Sequence, residues 1–126
     1  MSETIGRRLW AIPDGYIPGS SSGAGRDMES HEAICILNAG ASDARVAITV
    51  FFEDRDPVGP YRFTVPARRT HHLRVNDFDD PEPIPRATPY ASVVESDVPI
   101  VVQASRLDTR QAENALLSTV AFAGDR

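Results

Sequence analysis

The chain has 126 residues, 41% hydrophobic and 25% charged, an ordinary globular balance and enough for one core that hides roughly two-thirds of the unfolded surface. Its net charge of −5 gives no overall attraction to nucleic acid or an anionic membrane, and its longest apolar runs fall far short of the ~18 residues a membrane helix needs. The lone cysteine, Cys35, excludes an intramolecular disulfide, and residues 1–15 hold no apolar stretch after Arg7-Arg8 that reads as a signal peptide, so a cytoplasmic single domain over residues 1–126 is expected.

In chain order, residues 1–6 read as a loose end. Leu9 to Ile12 form a short strand that Pro13-Asp14-Gly15 should stop. Residues 18–25, PGSSSGAG, are a flexible loop by composition. His31 to Asn38 is a strand with Ile34 and Ile36 on one face and Ala33, Cys35 and Leu37 on the other, which predicts cover on both faces. Asn38-Ala39-Gly40 turns the chain. Val46, Ile48, Val50 and Phe52 then alternate with Arg45, Ala47, Thr49 and Phe51.

Residues 54–60 make the next turn, and Tyr61, Phe63 and Val65 form a return strand ended by Pro66. A further strand places His71, Leu73 and Val75 on one face and Thr70, His72 and Arg74 on the other. Residues 76–89, dense in prolines and acids, are a long stiffened loop. Tyr90 to Val94 and Ile100 to Leu107 read as two strands, and Asn114 to Phe122 as a last one, with a short helix over Ala112 to Leu117 as its competitor. Seven to eight short strands at close spacing predict an all-β, antiparallel β-sandwich.

Few motifs carry chemistry. Gly19-Ser20-Ser21-Ser22-Gly23 matches G-x-S-x-G but lacks the strand before and helix after that a nucleophile elbow needs. Gly23-Ala24-Gly25 lacks the third glycine of a dinucleotide fingerprint. His71 and His72 are neighbours on a strand, point to opposite faces and cannot share a metal. Asp54, Asp56, Asp79 and Asp80 lack the spacing of a calcium loop.

All 13 cations are Arg, either through codon bias or because planar forks hold carboxylate or phosphate. Two clusters bear on that choice. Arg68-Arg69-Thr70-His71 is a solvated strand entry or an anion and polyol clamp. Arg106-Leu107-Asp108-Thr109-Arg110 is a salt-bridged turn, except that Arg106 shares a face with Val102 and Ala104 and needs a partner, with Asp108, Glu32 or a ligand able to supply it. Trp10 and Tyr16 flank Pro13-Asp14-Gly15, either packed under a loop or offering a stacking platform for a sugar face.

The chain resembles the sensory rhodopsin transducer family. The resemblance rests on Ile5-Gly6, Trp10-Ala11-Ile12, Gly15-Tyr16-Ile17-Pro18, Ser30-His31-Glu32, Cys35 and Leu37-Asn38, then on FFEDRDPVGPYRFTVPARRT, NDFDDPEPIPRATPYASVVESDVPIVVQ and RLDTRQAENALLSTVAF. It implies a jelly-roll-like sandwich, a homotetramer and a signalling role without catalysis. The role it implies is either docking on a membrane photoreceptor or sensing a small polar metabolite, sugar-like or anionic; DNA regulation is a third reading that the net charge opposes. The Gly19–Met28 loop departs from the family pattern, and Ala104-Ser105 stands where the family pattern has His-Thr. The expectation is therefore a metabolite site drawn from Trp10, His31, Glu32, Arg68, Arg69, His71, Arg106, Asp108 and Arg110, with no cofactor, metal ligand or catalytic residue. Asn38 and Thr70 also match the family, and such positions can fix strands instead.

Overall fold

The computed structural model describes residues 3–22 and 25–126, so Met1 and Ser2 of the expected loose end, and Gly23 and Ala24 of the PGSSSGAG stretch, lie outside the described residues. Alternating β-branched and aromatic residues make eight strands among the described residues: β1 Arg7–Gly15, β2 His31–Asn38, β3 Ala44–Phe52, β4 Val58–Val65, β5 Arg69–Arg74, β6 Tyr90–Asp108, β7 Ala115–Val120 and β8 Phe122–Ala123. Single 3-10 turns occupy Arg26–Met28 and Val75–Asp77. Among the described residues no helix is long and apolar enough to cross a membrane.

The architecture turns on β6. Its first half, Tyr90 to Ser96, pairs with β1 on one side and β3 on the other. Its second half, Val101 to Asp108, pairs with β2 and β7. The same strand therefore serves two layers, β4-β3-β6-β1-β8 and β5-β2-β6-β7, all antiparallel. Residues 90–94 and 100–107, expected as two strands, are one strand of 19 residues. Pro99 does not break it, because it falls where the partners change and no ladder bond is asked of its missing N–H. The core between the layers joins Ile12, Val46, Ile48, Val50, Tyr61 and Val94 to Ile34, Ile36, Leu73, Ile100 and Val102, so the chain is a β-sandwich, as the strand spacing predicts. The two layers do not pair with each other along the β4–β5 flank or along the β7–β8 flank, and both flanks are open.

Other local expectations shift for physical reasons. Pro13 does not end β1, because a register irregularity between Ile12 and Gly15 takes up Pro13 and Asp14. β4 begins at Val58, inside the expected turn, and Val75 lies past β5 in a 3-10 turn. The outer face of β2 is only partly covered, with Leu37 exposed. No helix forms over 112–117: residues 115–120 pair with β6 instead, where ladder bonds outweigh weak helical propensity. The PGSSSGAG serines are tied down. Ser21 Oγ accepts from Ser30 N–H at 2.8 Å, Ser20 C=O from Ser30 Oγ at 2.7 Å, and Ser22 N–H donates to Thr109 C=O at 2.5 Å.

Residues 76–89 form the irregular loop expected, but they cap the core with buried Phe78 and Ile84, and Tyr61 Oη donates to the Glu82 carbonyl at 2.6 Å.

Candidate binding site

Glu32 and Arg106 sit directly across from each other in the β2–β6 ladder, and both point inward. The alternation that buries Ile34 and Ile36 carries Glu32 to the same face, and the one that buries Val102 and Ala104 carries Arg106. Arg106 Nε donates to Glu32 Oε2 at 2.8 Å, with the Glu32 side chain 6% exposed and that of Arg106 19%. The Tyr16 N–H lies 3.1 and 3.2 Å from the two Glu32 oxygens, and the Tyr90 hydroxyl donates to Oε1. Arg106 Nη2 reaches exposed Asp14 Oδ1 at 3.3 Å, and its guanidinium stands 5.9 Å from the Tyr16 ring centroid. Arg106 Nη1 makes no bond among the described residues.

Burial decides the titration of Glu32. Loss of water raises its carboxyl above the ordinary value, against the opposing pull of Tyr90, Arg106 and the Tyr16 N–H. Burial and the neighbouring carboxylate likewise push the Tyr90 phenol up. At Arg106, burial lowers the guanidinium but the Glu32 bond and charge outweigh it, because this side chain keeps more of its water.

The pair closes one end of a groove of about 390 Å3 on the open β7 flank. Ile12, Pro13, Ala104, Leu117 and Phe122 make the rest of its wall largely apolar. Two features aim the charged end. The β1 irregularity turns Asp14 toward Arg106, and Gly15 leaves room for the Tyr90 ring, which a Cβ at residue 15 would overlap. A fixed guanidinium with a spare N–H beside apolar walls can orient a hydroxyl or carboxylate group. Among the described residues there is no His/Cys/Asp/Glu cluster able to hold a metal.

The expected site residues are only partly gathered here. Asp108 and Arg110 pair with each other beyond Arg106, from 2.6 to 3.1 Å, which holds the Asp108 carboxyl below its ordinary value. His31 neighbours Glu32 but points to the outer face, where its Nδ1 donates to the Glu29 carbonyl at 2.7 Å. Trp10 is core, its indole N–H held by the Arg7 and Ile100 carbonyls at 2.9 and 3.0 Å, so the packed alternative holds and no ring face is offered to a sugar.

Arg68 and Arg69 lie at the opposite end of β2, beside Asn38, about 20 Å from Arg106 at ~3.3 Å per residue. Arg68 is a left-handed turn residue (φ 57°), and Arg69 bonds only the Arg68 carbonyl among the described residues. His71 lies on the β4–β5 flank. Asn38 and Thr70 fix backbone: Asn38 bridges Ser42, Val65 and Gly40, and Thr70 Oγ1 donates to the Ile36 carbonyl. Asp14 and Tyr90 are the contributors that sequence reasoning missed. A bulge beside a proline was the signal for Asp14; nothing local pointed from Tyr90 to a residue 58 positions away.

Comparison with known proteins finds relatives of the chain as a whole. A family model described as the Anabaena sensory rhodopsin transducer matches residues 5–123. The solved Anabaena sensory rhodopsin transducer is 55% identical, with 82% of this chain and 99% of that one covered at a TM-score of 0.71. The crystal structure of Thermotoga maritima 1070 is 36% identical, with 96% and 97% covered at a TM-score of 0.86. No curated protein matches the chain.

Proposed function

The chain belongs to the Anabaena sensory rhodopsin transducer family, and on that premise we propose that it is a non-enzymatic signalling protein whose output depends on what occupies the Glu32–Arg106 groove. The occupant is a small polar metabolite, hydroxyl-rich or carrying a single anionic group. The observation that carries this reading is Arg106 itself: it is held by Glu32 and Asp14, and its Nη1 has no partner among the described residues and lies beside an apolar wall. The whole chain acts as one domain in the cytoplasm, and the net charge of −5 leaves nucleic acid outside the proposal.

Assembly as a homotetramer fits the exposed apolar residues of the second layer, Leu37, Leu116 and Val120.

A thermal-shift panel of monosaccharides, sugar acids and sugar phosphates tests the ligand. About a hundredfold excess over Kd adds about 2.7 kcal/mol to the native state, a readily measured rise in Tm. We expect one chemical class to produce it, and Arg106→Lys, which keeps the charge but loses the fork, to abolish it. An unmoved Tm across the panel refutes the metabolite reading. The second reading is docking on a membrane photoreceptor without a small ligand, favoured by the apolar strip of Leu116, Val120 and Phe122 at 75%, 65% and 73% exposure. It predicts that the chain co-sediments with vesicles holding a sensory rhodopsin and that Phe122→Glu releases it.

A further inference from the structure

The open flank on the other side of the sandwich holds a larger cleft, of about 610 Å3, between β4 and β5. These strands follow each other in the chain but are edges of different layers, each paired on one side only. They diverge from the turn at residues 66–68, and Phe78 plugs the gap, its ring 5.1 Å from those of Tyr61 and Phe63. Phe63 and Leu73 add apolar floor, while Arg62, His71, His72 and Arg74 supply donors along the walls.

We propose that this cleft binds a small organic carboxylate that carries an apolar or aromatic group. Several donors there lack protein acceptors among the described residues. Arg74 Nε is buried and unpartnered among the described residues, although Nη2 of the same guanidinium bonds the Arg26 carbonyl at 2.7 Å and Glu29 at 3.2 Å. Native proteins leave very few buried polar atoms in that condition, and a ligand oxygen would satisfy it. Arg62, His71 and His72 make no side-chain hydrogen bond or ion pair among the described residues, and Arg62 and His71 are exposed. The acids of the cleft set the ligand's charge. Asp77 is occupied by Arg26, but Asp79 and Asp80 are unpaired among the described residues and repel a multiply charged anion. The cleft wraps the exposed edge of β5, so a single carboxylate seated there draws on both faces, His71 from the Leu73 side and Arg74 from the His72 side, while its apolar part lies on Phe63 and Leu73.

The site shares no residue with the Glu32–Arg106 groove and stands or falls without it. Titrating the isotope-labelled full chain with phenylacetate, with neutral phenylacetamide and with inorganic phosphate tests it by amide chemical shifts. Phenylacetate should give saturable shifts over residues 60–63, 71–74 and 77–80, and phenylacetamide should bind about tenfold more weakly. Arg62→Ala and His71→Ala, both at exposed positions, should each weaken phenylacetate severalfold, and Arg74→Lys should do so without loss of charge, while Arg106→Lys leaves it unchanged. Equal binding of the amide, the same shifts from phosphate, no saturable shift from phenylacetate, or indifference to Arg62→Ala and His71→Ala would each overturn the proposal.

Discussion

At the scale of single residues, Glu32 links stability to pH. Its carboxyl is raised above the ordinary 4.5 chiefly by burial, so the folded chain keeps this proton at pH values where the unfolded chain has released it. The stability this group contributes is full below about pH 4.5 and is lost as pH rises through the raised value. Urea unfolding of the native chain and of Glu32→Gln should therefore show the difference in unfolding free energy moving in the variant's favour as pH rises toward neutral. A difference that moves the other way would mean that the Arg106 and Tyr90 bonds outweigh desolvation. Half-buried Asp108, held low by Arg110, acts in the opposite sense only below its ordinary 3.8, so the two windows do not overlap.

At the scale of elements, β1 and β6 position the site together. Ile12 pairs with Ser92 and Gly15 with Tyr90, and the irregularity between them carries Asp14 toward Arg106. Gly15 is where this arrangement is least tolerant, because a Cβ there would enter the Tyr90 ring, which is itself held by Glu32. Gly15→Ala should cost about 1–3 kcal/mol, the range for overpacking a filled site. Chemical denaturation reads that cost, and loss of the near-ultraviolet circular dichroism signal of tyrosine would place it at Tyr90; an unchanged midpoint would mean that β1 can shift away. The layout of strands was legible in the alternation of residues, which located β2 to β5 closely. The continuity of β6 was not, because Pro99 reads as a stop unless its ladder partners are known.

At the scale of the whole molecule, the apolar residues that the core does not use define the outer surface. Leu116 and Val120 point outward from β7, and Leu37 points outward from β2 in the same layer. An edge strand with these residues and no charge of its own is a template for association. Leu116→Glu combined with Val120→Glu should lower the oligomeric state seen by sedimentation velocity and leave the monomer folded, since neither side chain packs in the core. An unchanged sedimentation coefficient would count against the proposed homotetramer or against β7 as its interface.

The sequence by itself determined the class of fold, the family and the need of Arg106 for a partner. Period-two alternation, turn residues and a charge on an apolar face are local properties, readable within a few residues. Only the tertiary structure decided which charges meet. Register brings Glu32 and Arg106 together across the 74 positions that separate them, while the same β2 strand holds Arg68 and Arg69 at its far end from them. Trp10 went to the core and Tyr90 to Glu32 for a related reason: inward or outward orientation follows from pairing, and pairing is set by the whole sandwich.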